Sequence, residues 1–321
     1  MEKKINTSRT PVYRDAGFEL YDPDTTKSAF DRETENERLP DLYIYSRYRN
    51  PTVEAAEEEI MNFEKCEWAL LTQSGMSAID TALSIFQNGI NKKPWLFFSE
   101  IYGGTLSFAD SILARRRGLK ISSFNPENDR YDQVQLEENL ARHSPEIVYV
   151  ETISNPTLIV AGLEQIITIS HRAGAKVIVD NTFATPFLCR PLEFGADLVI
   201  HSATKYFSGH GNITAGIICG NDKFLMKSAI EYRKYAGHML SPDDAYRLTT
   251  QMKTFALRFS RQCRNASQLS QVLKASCIVG KVLYPGLPEH PVAVRARLDD
   301  PVRPEHRSVP DCGGNLLLAL V

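Results

Sequence analysis

The sequence predicts an α/β protein, with a doubly wound and mainly parallel sheet between helices, and three observations carry that reading. From about residue 68 to 220, six short apolar runs alternate with helical patterns. The runs are hydrophobic almost throughout, which is how strands covered on both faces read. The segments between them repeat apolar residues at helical spacing instead of alternating them.

The runs are "WALLTQ" (68–73), "WLFFSE" (95–100), "EIVYVET" (146–152), "KVIVDN" (176–181), "DLVIHS" (197–202) and "AGIICG" (215–220). In "NPTVEAAEEEIMNFEK", Asn50 is placed to cap a helix with Pro51 at its first position, and Val53, Ala56, Ile60 and Phe63 form its apolar stripe. "SGMSAIDTALSIFQNG" puts Met76, Ile79, Leu83 and Phe86 on one stripe and predicts a stop at Gly89. Beyond residue 240 the pattern turns helical, with Ser241 and Pro242 as a helix start and one long amphipathic run after it. The opening residues 1–49 are polar and read as irregular, closing on "LYIYSRYRNPT". Such a segment cannot make its own core and is expected to pack across another surface, such as another subunit. The expected division is an arm over 1–50, a large domain over 51–250 and a partial C-terminal domain over 251–321.

Composition narrows the partners. Lys plus Arg (37) nearly balance Asp plus Glu (39), so there is no basic field for nucleic acid, and small molecules become the default ligand. The opening "MEKKINTSRT" lacks a secretory apolar core, and no apolar run approaches the roughly 20 residues of a membrane span, so a soluble cytoplasmic protein is expected. Six scattered cysteines without a C-x-x-C pair fit buried reduced thiols, and the seven histidines show no metal-ligand spacing.

In doubly wound sheets ligands lie beyond the carboxyl ends of the strands, so the residues just after each run are the candidates. "LLTQSGMS" opens a helix at Ser74, Gly75 and Met76, where backbone N–H groups and the helix dipole suit an anion such as phosphate. "SEIYGGT" supplies Tyr102 beside two glycines, "ETISNPT" supplies Asn155, "VIVDNTFATP" supplies Asp180, and "HSATK" supplies Ser202, Thr204 and Lys205. Pyridoxal phosphate needs this set: a lysine, a carboxylate for the pyridine nitrogen, an aromatic stack, and donors for a phosphate. Small neighbours around Lys205 predict partial desolvation, which lowers an amine's pKa and frees it to attack an aldehyde. A nicotinamide enzyme would call for G-x-G-x-x-G after the first strand, and the chain has none.

The motifs "YSRYRNPT", "SGMSA", "IYGGT", "ETISNPT", "VDNTFATP" and "SATKYFSGHGN" occur together and in that order. With them the chain, from about Pro11 to Val321, resembles the Cys/Met-metabolism family of pyridoxal-phosphate enzymes, which includes cystathionine γ-synthases and lyases, O-acylhomoserine sulfhydrylases and methionine γ-lyases. The resemblance implies fold type I, the aspartate-aminotransferase-like fold of pyridoxal-phosphate transferases, and a homotetramer built from tight dimers. It implies Lys205 as Schiff-base lysine and proton shuttle, Asp180 on the pyridinium, Tyr102 stacked on the ring and Asn155 at its 3-hydroxyl. The phosphate is implied to lie against Gly75, Met76, Ser202 and Thr204, with Tyr45 and Arg47 reaching in from a neighbouring subunit. Lys205, Tyr102, Asp180 and Tyr45 are the residues implied to carry the reaction.

The implied reaction is γ-replacement or γ-elimination on sulfur amino acids or O-acylhomoserine, most like a cystathionine γ-synthase, with the γ-lyase and the sulfhydrylase as alternatives. Gly104 stands where methionine γ-lyases typically carry a cysteine, which ranks that activity lower. Family members run on past the strand expected in "CGGNLLLALV", and the α-carboxylate arginine belongs to that stretch, so a truncated, inactive member keeping the fold is the other alternative. His210 in "GHGN" is expected to fix its loop by a hydrogen bond, and Gly209 and Gly211 to serve backbone turns.

Overall fold

The computed structural model describes residues 8–35, 42–87 and 93–290. In chain order these hold helix α1 (Pro23–Glu35), α2 (Pro51–Glu64), strand β1 (Trp68–Thr72), α3 (Gly75–Ser84), β2 (Trp95–Phe98) and α4 (Gly103–Phe108). A π-helical turn, Ala109–Ala114, continues α4. Next come β3 (Ile121–Phe124), α5 (Gln133–His143), β4 (Ile147–Glu151), α6 (Leu163–Arg172), β5 (Lys176–Asp180) and α7 (Thr185–Leu188). After a 3-10 turn at Pro191–Phe194 follow β6 (Leu198–Ser202), β7 (Gly216–Gly220), α8 (Lys223–Ala236), α9 (Pro242–Met252) and α10 (Phe255–Ala275). The chain divides into two compact units, Met1–Phe86 with Ser202–Lys253, and Gln87–His201 with Thr254–Val321.

The second unit contains the parallel sheet. Its strands pair β3–β2, β2–β4, β4–β5 and β5–β6, all parallel. Every residue of β2 and β4 is buried, the signature of strands covered on both faces. Helix α6 turns Leu163, Ile166 and Ile167 inward, so the polar side of "LEQIITISHR" is left to solvent. Strand β3 is not among the six runs: it pairs with β2 alone, and Ser122 and Ser123 keep it partly exposed. Phe187 sets its ring edge-on to Phe255 of α10 at 4.8 Å and stacks on Phe259 at 6.0 Å.

The first unit is built on an antiparallel pair, with Trp68 of β1 opposite Gly220 of β7 and Thr72 opposite Gly216. Helices α2, α3 and α8 pack against this pair. Helix α2 begins as predicted: the Asn50 side chain accepts from Thr52 N–H at 2.9 Å, and Pro51 takes the first turn, where no N–H is needed. Val53, Ala56 and Ile60 are fully buried. Helix α3 ends at Ser84 instead of Gly89, which lies outside the described residues. The Ser241 cap is present, its oxygen accepting from Asp244 N–H at 3.1 Å, but the run beyond it is two helices, broken at Lys253 and Thr254.

The opening segment is less irregular than expected, because Asp22 accepts from Thr25 N–H at 2.8 Å and starts the 13-residue α1. The arm is tied down by polar contacts, Tyr13 N–H to Thr52 Oγ1 at 2.9 Å and Asn50 Nδ2 to Tyr13 O at 2.9 Å. Beneath it lies a cluster of buried charge. Arg233, 2% exposed, donates to Glu57 at 2.5 Å and to Leu71 O at 3.0 Å, while Arg49 faces Glu33 and Glu54 at 3.4 Å each. Tyr43 donates to Glu54 at 2.7 Å.

The terminal strand expected in "CGGNLLLALV" and the arginine- and proline-rich stretch before it lie outside the described residues. Among the described cysteines, Cys189, Cys219 and Cys263 are buried thiols, whereas Cys66 is half-buried and Cys277 exposed. Among the described residues no helix is long and apolar enough to cross a membrane, and no cluster of His, Cys, Asp and Glu could hold a metal ion.

Candidate active site

In the first unit, the turn after β1 and the turn after β6 come together. Ser74 caps α3 by accepting from Ser77 N–H at 3.0 Å, and Ala78 N–H is bonded to Ser74 O. That leaves the Gly75 and Met76 N–H groups without a protein partner among the described residues, pointing out of the positive end of a 10-residue helix. Gly75 permits a close approach here, since a Cβ on it would sit 3.0 Å from Ser202 Cβ and 3.1 Å from Ser202 Oγ. The Ser202 hydroxyl and the two N–H groups therefore bound one small polar corner.

Lys205 follows on the turn after β6, held by its own N–H to Ser202 O at 3.1 Å and by Gly209 N–H to Lys205 O at 2.7 Å. Two expectations fail here. Lys205 is exposed, because Ala203 turns inward beside it and the small neighbours leave its chain uncovered. Thr204 is not a ready phosphate donor: its hydroxyl donates to Ala215 O at 3.2 Å and accepts from Ala215 N–H at 3.1 Å, fastening the turn to the start of β7. The loop beyond behaves as expected. His210 Nδ1 meets Ser208 O at 2.5 Å, and Gly209 and Gly211 take φ of 66° and 65°, left-handed positions where other residues are strained.

Tyr45 and Arg47 lie on the arm rather than at that corner. Arg47 donates to Lys234 O at 2.6 Å and lies over the Tyr45 and Tyr48 rings at 5.3 and 5.0 Å. Tyr45, 40% exposed, bridges to Gly17 through its backbone.

The second unit brings together Tyr102, Asn155 and Asp180 at the carboxyl ends of its strands. Asp180 ends β5, where Oδ1 accepts the Thr182 hydroxyl at 2.6 Å and the Thr182 N–H at 3.0 Å, and Oδ2 accepts the Tyr149 hydroxyl at 3.3 Å. Burial pushes the Asp180 carboxyl up, against the Thr182 donors, His201 on β6 and Tyr149, which all favour its ionised form. Tyr102 precedes α4 with half its surface exposed, and its N–H donates to Glu151 Oε1 at 2.7 Å. Gly104 belongs to the same arrangement, for a Cβ there would collide with the Tyr102 ring. The Asn155 N–H donates to the same Glu151 carboxyl, whose value is pushed well above the carboxylate range by burial and by Asp180.

Glu151, Tyr149 and Thr182 contact these candidates and were not singled out from the sequence. A signal for Glu151 existed: "IVYVE" ends in an acid just as "KVIVD" does, and each is the last residue of a parallel strand. Tyr149 gives none, since an aromatic inside an apolar run reads as core, and indeed it stacks on Phe97 at 5.3 Å.

Known proteins share this framework. The family model for the Cys/Met metabolism PLP-dependent enzymes matches residues 1–297. An L-methionine gamma-lyase of Porphyromonas gingivalis is 32% identical over 293 residues, 91% of this chain and 70% of that protein. A cystathionine beta-lyase of Lactococcus lactis subsp. cremoris is 36% identical over 254 residues, 78% of this chain and 64% of that protein. The chain thus spans from 60% to 70% of the length of such curated relatives. A crystal structure of cystathionine gamma synthase from Xanthomonas oryzae pv. oryzae, in complex with aminoacrylate and cysteine, superposes with a TM-score of 0.77 at 30% identity, covering 88% of this chain and 67% of that one. The chain belongs to the Cys/Met metabolism family of PLP-dependent enzymes, with their fold type I α/β architecture.

Proposed function

We propose that this chain binds pyridoxal 5'-phosphate at Lys205 and uses it for γ-replacement on an O-acylhomoserine, in the manner of a cystathionine γ-synthase. The observation that carries the cofactor reading is Asp180: a carboxylate held by three hydroxyl and N–H contacts, with no lysine or arginine paired to it among the described residues, suits a cationic ligand. The other residues fit the same group. Gly75 and Met76 N–H and the Ser202 hydroxyl suit a phosphate dianion, and the half-exposed Tyr102 ring offers a stacking face.

When bound, this cofactor supplies an electron sink for negative charge at a substrate α carbon. Asp180 keeps a proton on the ring nitrogen, and Tyr102 fixes the plane of the ring. Asn155 orients the ring through its 3-hydroxyl. Lys205 Nζ takes the α proton and returns it later in the cycle. Thr204, with its hydroxyl engaged by Ala215, holds the Lys205 turn to β7. Arm residues Tyr45 and Arg47 serve the phosphate of a neighbouring subunit in a homotetramer, a role supported by the exposure of Tyr45. Light scattering of the purified chain tests the assembly.

Visible absorbance on adding pyridoxal phosphate, lost in Lys205→Ala, tests the cofactor reading. Product analysis with an O-acylhomoserine plus cysteine, against cystathionine alone, tests the reaction. Elimination by a β- or γ-lyase is the second reading, supported by the relatives at 32% and 36% identity. Gly104 and the Tyr102 ring it admits speak for the synthase over a methionine γ-lyase.

A further inference from the structure

We propose that Glu151 is a positioning residue of the cofactor site: it holds the Tyr102 and Asn155 backbones and takes up the proton of the Glu151–Asp180 pair, leaving the negative charge on Asp180. The inference rests on the reading that Tyr102, Asn155 and Asp180 serve pyridoxal phosphate.

Strands β4 and β5 are parallel neighbours, and Glu151 and Asp180 are partners in their register at the carboxyl ends. Glu151 is 6% exposed, so its carboxyl cannot turn to water. It accepts the Tyr102 N–H at 2.7 Å and the Asn155 N–H. One side chain thereby ties down the segment carrying the stacking ring and the segment carrying the 3-hydroxyl contact. Among the described residues no lysine or arginine is ion-paired with either acid. Two adjacent carboxyls in that setting do not both ionise at modest cost, and the surrounding donors decide which keeps the proton. Asp180 has the Thr182 hydroxyl and N–H, the Tyr149 hydroxyl and the field of His201. Glu151 has main-chain N–H groups alone, together with Asp180 itself beside it. The proton therefore rests on Glu151.

A neutral acid accepts those N–H groups much as a glutamine amide oxygen does, which makes Glu151→Gln the faithful mimic and Glu151→Ala the deletion. Pyridoxal phosphate is titrated into the full-length apo chain in the wild type and both variants, with circular dichroism reporting folding. Glu151→Gln is expected to bind within about twofold of wild type, and Glu151→Ala to bind about tenfold or more weakly, the scale of lost outer-shell support. Melting of the apo chain against pH gives a second readout. A carboxyl raised on folding contributes stability present at low pH and lost as pH rises past the ordinary carboxylate range. Wild type should show a steeper loss than Glu151→Gln, which keeps only the share contributed by the other raised carboxyls such as Glu54. Gln binding as weakly as Ala, Ala binding like wild type, or parallel melting curves for wild type and Gln would each overturn the proposal. Failure of the wild type to bind the cofactor overturns the cofactor reading instead, while the apo melting curves still decide where the proton lies.

Discussion

Each unit contains a cluster of acids shielded from water, and the two are neutralised differently. In the first unit Glu57 lies on Arg233, and Glu33 and Glu54 lie near Arg49, so cations from the protein itself balance the carboxylates. In the second, Asp180 and Glu151 are surrounded by hydroxyl and N–H donors and have no arginine or lysine ion-paired with them among the described residues. A cluster that balances its own charge is part of the framework. One left short of a cation is fitted to receive it from a ligand.

The largest expected effect is on the ligand side. Lys205→Ala should abolish the visible cofactor band and lower turnover by about 10³-fold or more, as read from steady-state rates. Asp180→Asn, which keeps the shape and removes the charge, should lower turnover by about 10²- to 10³-fold while melting near the wild type. Arg233→Met should do the reverse: it strands Glu57 and should cost about 3–5 kcal/mol in urea unfolding, while the cofactor absorbance of the remaining folded protein is unchanged. If Asp180→Asn instead destabilised the fold as Arg233→Met does, the distinction between the clusters would fail.

Glu54 gives a finer contrast. Burial, with Glu57 nearby, raises its carboxyl from 4.5 to about 7 despite the Tyr43 hydrogen bond and Arg49. Because the folded value is raised, the proton-linked stability is present in full below pH 4.5 and is lost as pH rises through about 7. Glu54→Gln should flatten that decline, a change of up to about 3 kcal/mol between the two ends of the window. The smallest effect belongs to Tyr149→Phe, which removes one 3.3 Å hydrogen bond from Asp180 and should weaken cofactor binding by about three- to tenfold.

Much of this architecture could be read from hydrophobic runs. All six predicted strands are present because each is buried nearly throughout, which leaves little room for polar residues. Strand β3 could not be found that way, since an edge position lets Ser122 and Ser123 face outward. Nor could the antiparallel direction of β7 against β1, because burial on both faces carries no information about direction. At the site, strand-end position singled out Asp180 and Lys205. It could not show that the Tyr102 N–H, 49 residues before Glu151, would bond to that acid, nor that Thr204 would spend its hydroxyl on Ala215. Those are long-range partnerships, settled by tertiary structure.

The pairing of β1 with β7 also constrains how the protein is made. Trp68 emerges from the ribosome long before Gly220, its partner in the register, and everything from β2 to β6 is synthesised in the interval. The parallel strands can pair as they appear, while β1 must wait exposed for its mate. The β1–β7 pair therefore forms only after a long loop closure, whereas the parallel strands close over shorter separations.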